Sequence, residues 1–223
     1  MAVPVRPALT KADYAYAEVR ERIMSGALPQ GATVSQEALA AELEVSTTPL
    51  REAMRRLSAE GLVVLDAHRD ARVAPLTATE ARSLFEIRQQ LDPLAVRLAA
   101  ERREAADVAR IQEAAASLEP LDAGSGLAAL EAHRAFHAAL YRASHNDLLI
   151  GLLDGLWDKA DRYRRAALEA REDSPDDRAR VRAEHQAVMA AVLDGDPDAA
   201  EQHMHRHVAG SLGRRAVDVL PAG

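Results

Sequence analysis

Cysteine is absent from the 223 residues, which excludes a zinc ribbon, a Cys-ligated iron–sulfur centre and a disulfide-stapled secreted fold. No run approaches the roughly 18 consecutive apolar residues of a membrane-spanning helix. The N-terminal stretch from Met1 to Pro7 lacks an apolar signal core, so the sequence predicts a cytoplasmic protein with no membrane association. Aromatic residues are only 3% and lysine occurs only at 11 and 159. The net charge of −7 argues against a general polycation, yet a local basic stripe suffices for contacting DNA. What is abundant is alanine, leucine and arginine, with 48% hydrophobic residues in all. That composition favours helices around an ordinary core.

The chain divides near Pro75. Tyr16, Val19 and Ile23 form one helical face, ended by Gly26 and the Pro29–Gly31 turn. Ser35 caps a second helix with Leu39 and Leu43 inward. After a Glu44-Val45 turn, Ser46 caps a third, whose Leu50, Ala53, Met54 and Leu57 recur at the spacing of one buried stripe. Pro49 falls in its first turn, where no intrahelical donor is lost, and Gly61 ends it as a left-handed cap. Residues 62–65 and 71–74 flank a polar pentad and predict a β-hairpin. Three helices and a hairpin over 9–75 describe a winged helix-turn-helix. From Thr77 onward only helices are expected. A capping box at Thr77 and Glu80 opens a run with Leu84, Ile87 and Leu91, and Asp92-Pro93 restarts a helix. Further helices are predicted over 104–118, 127–143, 147–171, 175–193 and 197–215. The fold class is therefore mainly α, with a bundle of six to seven helices spanning 77–216.

The third helix carries Arg51, Arg55 and Arg56 off its apolar stripe. Alone, such arginines describe a solvated face; in this topology they mark a recognition helix, whose N-terminal residues meet base edges. Thr47, Thr48 and Arg51 are so placed, and Arg51 suits a bidentate contact to guanine. Ser46 and Thr48 suit phosphates. His68 and Arg69 stand at the hairpin tip. The stretch Gly31 to Leu62 resembles the GntR family of bacterial transcription regulators. The match is carried by Leu39-Ala40, by the run Val45-Ser46-Thr47-Thr48-Pro49-Leu50-Arg51-Glu52-Ala53, by Leu57 and by Gly61. Thr47 stands where that family usually has arginine, and Asp70 replaces the common wing-tip glycine after Arg69. The resemblance implies homodimers bound to inverted-repeat operator DNA.

Seven of the eight histidines lie beyond residue 130. His133 with His137, and His203 with His207, are i, i+4 pairs sharing a helix face. His185 precedes the Asp194–Asp196 turn and His207 follows it. In an antiparallel hairpin the two lie level to within about 3 Å at 1.5 Å rise per residue. Depth alone does not separate His203 from His207, while His205 points off both. Imidazole is the commonest transition-metal ligand, so a metal site is expected on these helices. The C-terminal portion resembles the helical FCD ligand-binding domain of the FadR/VanR-like branch of GntR regulators. Its marks are Phe85 to Ala95, Phe136-His137, Ser144-His145-Asn146, Glu184-His185 and Met204 to Val208. That family holds one divalent ion on an Asp-x-x-x-His motif, a later His and a final His 22 residues on, which selects His133, His137, His185 and His207. His133 replaces the usual Asp. A four-imidazole set favours zinc or nickel over manganese.

The same resemblance implies a small organic acid effector, with Arg88 as its carboxylate partner and Asn146 as a polar contact or a helix cap. Trp157 and Tyr163 read as core, and the charged stretch 162–182 as a solvated face. No nucleophile motif, phosphate-binding glycine loop or dinucleotide fingerprint is visible. The sequence thus predicts a metabolite-responsive regulator and not an enzyme, the competing readings being a pure metal sensor and a helical metal-dependent enzyme built on the histidine cluster.

Overall fold

In a computed structural model, residues 10–65, 70–121, 125–171 and 173–221 are described. They fall into two compact units, up to Pro75 and from Leu76. The first unit contains α1 (Lys11–Ser25), β1 (Thr33–Ser35), α2 (Gln36–Glu42), α3 (Thr47–Ala59), β2 (Val63–Leu65) and β3 (Asp70–Val73). Thr10 and Asp13 close a capping box on α1, and Gly26 ends it in the left-handed conformation. Gly61, at φ 72°, ends α3. Its N–H bonds Ser58 O and that of Leu62 reaches Leu57 O, the paired bonds of a glycine-terminated helix. Both strand pairs are antiparallel in the order β1-β3-β2. The hairpin thus supplies the central strand, β3, and one edge, β2, of a three-stranded sheet. β1 escaped the sequence pattern because it has three residues, and its last, Ser35, is already the cap of α2. Ala15, Val19, Leu50, Met54, Leu57, Leu62 and Val73 form the core of this unit.

The second unit holds eight helices among the described residues. These are α4 (Ala78–Arg102), α5 (Ala105–Ala116), α6 (Leu127–Arg142), α7 (Asp147–Asp154), α8 (Trp157–Ala170), α9 (Pro175–Asp194), α10 (Pro197–Ala209) and α11 (Leu212–Val219). The expected six to seven are corrected in two ways. Pro93 does not restart a helix; it lies inside the continuous α4. An interior proline costs about 3 kcal/mol. Here the turn before it is tied by an Arg88–Asp92 ion pair and the turns after it bury Ala95, Val96, Ala99 and Ala100. Conversely, the expected 147–171 and 197–215 helices each break at a glycine. At Gly155 and Gly210 the next residue's N–H turns back to a carbonyl three residues earlier, Leu156 to Leu153 and Ser211 to Val208. No helix among the described residues is long and apolar enough to cross a membrane.

The turn between α9 and α10 sets the relative depth of the histidines those helices carry. Gly195 adopts φ 72°, Asp196 caps α10 by accepting from Ala199 N at 3.0 Å, and Pro197 occupies the first helical turn. Arg103 seals the turn by donating to Leu193 O at 3.0 Å and Ala100 O at 2.6 Å. A Cβ on Gly195 would meet the Arg103 guanidinium at 2.5 Å. Gly195→Ala is expected to lower unfolding free energy by at least the roughly 1–2 kcal/mol of a left-handed non-glycine residue. Urea denaturation measures it; an unchanged midpoint would contradict this account of the turn.

Candidate functional site

Two faces bear function-related side chains, one in each unit. In the first, Ser46 stands at the N-cap of α3 with no side-chain capping bond, so its hydroxyl is not used by the helix. Ser46, Thr48, Arg51 and Arg55 are exposed, and Thr47 is half-buried. Arg51 and Arg55 enter no ion pair among the described residues. Arg56, also exposed on this helix, is engaged within the unit. It donates to Asp13 at 2.7 Å and lies 4.2 Å over the Tyr16 ring, bracing α3 against α1. The pairing draws the Asp13 carboxyl below its usual range, with the Thr10 hydroxyl the larger cause and Arg56 the next. His68 and Arg69 lie outside the described residues. Asp70 is the first residue of β3, paired in register with Ser35.

In the second unit α6, α9 and α10 bring His133, His137, His185 and His207 together, all four buried, with one nitrogen of each within 4.8 Å of the others. His137 Nε2 and His185 Nε2 are 3.3 Å apart. Zinc–nitrogen bonds of 2.0–2.1 Å in a tetrahedron give an edge of about 3.3 Å. Buried His133 Nδ1 has no partner among the described residues. The donor set therefore fits a borderline-soft divalent ion. Burial, the largest cause, pushes the pKa of His133, His137 and His185 well below the ordinary value, and neighbouring positive groups add to it. Neutral imidazole is the form that binds metal. His203 stands aside, half-buried and accepting from Arg206 at 3.0 Å, and His205 is exposed. His145 pairs with Asp107 at 2.8 Å.

Two ligand candidates are backed by further polar groups. Glu184 lies 3.0 Å from His207 Nδ1 and accepts from Arg180 at 2.6 Å. Burial works against the Glu184 charge, but His207 and Arg180 hold its carboxyl below the usual range. Tyr141 Oη is 3.3 Å from His137 Nδ1 and donates to Asp92 Oδ2 at 3.0 Å. Asp92 also receives Arg88 Nη2 at 2.5 Å.

Arg88 was expected to meet an effector; instead its guanidinium is buried and paired within its own helix. Asn146 caps α7 by accepting from Leu149 N at 3.2 Å. The arginine that sequence reasoning missed is Arg164, in the stretch expected to be solvated. It is buried and donates to Asp161 at 2.6 Å. With His133, His207, Leu121, Asp173 and Ser211 it lines a cavity of about 20 Å3. Burial pushes the Arg164 guanidinium down to about 10, repulsion from Arg88 adds to this, and Asp161 offsets part of it. A signal was present: Trp157, Ala160, Arg164, Ala167 and Leu168 recur at helical spacing, which puts Arg164 on the buried face. A second cavity, of about 120 Å3, borders His185, Phe136 and Met189.

Residues 11–73 match the family of bacterial regulatory proteins named gntR, and residues 83–210 match the FCD domain. A Paenarthrobacter nicotinovorans protein named as a probable D-xylose utilization operon transcriptional repressor is 33% identical over 192 residues, 85% of this chain and 82% of that one. The regulator LutR of Bacillus subtilis is 31% identical over 206 residues, 83% of this chain and 92% of its own. The solved structure of E. coli McbR/YncC superposes with a TM-score of 0.72 at 22% identity, over 90% of this chain and 94% of that one, which shows a shared fold. The chain thus belongs to the GntR family of bacterial transcription regulators, with an FCD domain as its C-terminal unit.

Proposed function

We propose that this regulator is a metabolite-responsive repressor. It binds an inverted-repeat operator as a homodimer and changes DNA affinity when a small carboxylate meets a divalent ion in the helical unit. The observation that carries the effector reading is one cavity wall shared by His133, His207 and Arg164. His133, His137, His185 and His207 would hold the ion, zinc or nickel by ligand softness. A bound ion supplies a Lewis-acidic centre for an anion. Arg164, in place of Arg88, is the carboxylate partner, because guanidinium and carboxylate pair bidentately. The repressor reading draws on the D-xylose operon relative and on the E. coli repressor GlaR, 29% identical over 207 residues. For the homodimer, Ile87 and Leu94 on α4 and Leu148 and Leu152 on α7 offer exposed apolar side chains on two helices that pack together. Apolar surface of this kind suits a second copy.

A pure metal sensor has one observation in its favour. About 20 Å3 is room for little more than a water. DNA affinity that follows metal alone, with no carboxylate effect, would select it.

On the DNA side, Ser46, Thr47, Thr48, Arg51 and Arg55 are the proposed contacts. Arg51→Ala should lose about 1–3 kcal/mol of discrimination between operator and random duplex without unfolding. Arg56→Ala should lower stability and leave the salt dependence of binding intact, since Arg56 is held by Asp13. Competition binding at several salt concentrations separates the two; equal operator and random affinities in wild type would overturn the reading.

On the effector side, thermal shifts with lactate and citrate on zinc-loaded protein test Arg164. Wild type should be stabilised by one of them, by about 2.7 kcal/mol at 100 times its Kd, and Arg164→Gln should lose that response. A response retained in full by Arg164→Gln counts against the assignment.

The buried imidazoles also fix a pH dependence of the metal-free protein. Their folded pKa values lie below the unfolded value near 6.5. In the window below 6.5 the unfolded chain therefore binds more protons, and stability falls as pH falls. The slope is up to about 1.4 kcal/mol per pH unit for each such imidazole. Urea midpoints at pH 7.5 and 5.5 measure it, and a flat profile would refute neutral burial.

A further inference from the structure

Tyr141, Asp92 and Arg88 form a line of buried polar groups ending on His137; they are 1%, 0% and 4% exposed. A phenol carries one hydrogen. Here it points to Asp92 Oδ2 at 3.0 Å, an oxygen that also receives Arg88 Nη2 at 2.5 Å. A phenol keeps its hydrogen at neutral pH, and a carboxylate oxygen that already receives Arg88 can only accept it. Toward His137 Nδ1, 3.3 Å away, Tyr141 Oη can then only accept. His137 must therefore carry its proton on Nδ1. Its lone pair is left on Nε2, the nitrogen that stands 3.3 Å from His185 Nε2 inside the cluster.

We infer that Tyr141 and Asp92 are positioning residues of the metal site. They lock His137 in the tautomer whose Nε2 faces the ion, and they set a carboxylate behind an inner shell that has none. The inference rests on the metal reading proposed above. Arg88 offsets the charge of Asp92 when no ion is present, so the buried carboxylate is balanced in that state. With an ion held at Nε2, His137 Nδ1–H would be a stronger donor, and its bond to Tyr141 would hold the ring more firmly. The line reaches α4 beside Pro93, so this ligand is anchored in the longest helix of the unit. A tyrosine that served packing alone would not need its hydroxyl between a carboxylate and an imidazole.

Tyr141→Phe in the full chain tests this, with Tyr163→Phe as the control. Tyr163 is another buried tyrosine that donates to a carboxylate, Glu80 at 2.7 Å. Zinc affinity is read by chelator competition, and the imidazole tautomer of the metal-free protein by nitrogen-15 spectra. Tyr141→Phe should weaken zinc binding about 10- to 100-fold and convert His137 from one tautomer to a mixture. Tyr163→Phe should shift melting only. Zinc affinity within twofold of wild type, together with an unchanged Nδ1–H signal, would overturn the inference. Equal zinc losses in both variants would reduce Tyr141 to a packing role and overturn it as well. If wild type takes up no zinc, the metal reading fails by itself. The tautomer spectrum then still decides whether Tyr141 fixes His137.

Discussion

Four imidazoles are packed ring against ring in the interior of the second unit, where burial favours the uncharged form of His133, His137 and His185. Ring centroids lie 4.5 Å apart between His185 and His207 and 4.7 Å apart between His133 and His137, so protons on both members of a pair would repel at close range. For His133, His137 and His185 the neutral form is also the state in which nitrogen lone pairs are free to bind metal. The aromatic packing of the unit follows from it. Trp157 and Phe136 close over the rings, and guanidinium groups of Arg88, Arg164 and Arg134 sit 5.0–5.8 Å from the Trp157 ring. A cation over an indole face is stabilised by the ring quadrupole, which lets positive groups remain near a site already short of negative charge.

Charge in this region is arranged in layers. The family resemblance leads one to expect a carboxylate among the ligands; His133 takes that place. Carboxylates stand one step further out, Glu184 behind His207 and Asp92 behind Tyr141 and His137. Each is balanced by its own arginine, Arg180 and Arg88. The inner set alone would leave an ion's double charge facing neutral nitrogens. In the proposed reading the outer acids would temper that charge without occupying a coordination position. On the same reading an entering anion would then have both an electrostatic reason to bind and Arg164 to orient it.

How much of this was legible in the sequence depended on the kind of signal. Apolar spacing located α3 and its stripe, because Leu50, Ala53, Met54 and Leu57 all point one way. Helix ends that rest on backbone chemistry were legible where a glycine is left-handed, as at Gly61 and Gly195, and illegible where one is not. Gly155 and Gly210 break helices with right-handed or bridge-region geometry that many interior residues share. Pro93 misled because a local rule for proline was outweighed by tertiary packing and the Arg88–Asp92 pair. The four clustered histidines could be nominated from helical spacing and the family pattern. Arg164 was missed because charge in its stretch was read as exposure; it and Arg88 are both buried and both pair within their own helices, with Asp161 and Asp92, and Arg164 also faces a cavity beside His133 and His207. The Tyr141 line joins α4 to α6 across 49 residues, a distance over which no sequence period carries information.

X-ray absorption at the zinc edge of the full-length protein, after loading and removal of excess metal, tests the central claim most directly. The account predicts one zinc per chain with four imidazole nitrogens at about 2.0–2.1 Å, and loss of one imidazole from the fitted shell in His133→Ala. A protein that retains no zinc, or a shell of oxygen scatterers unchanged by that substitution, would contradict it.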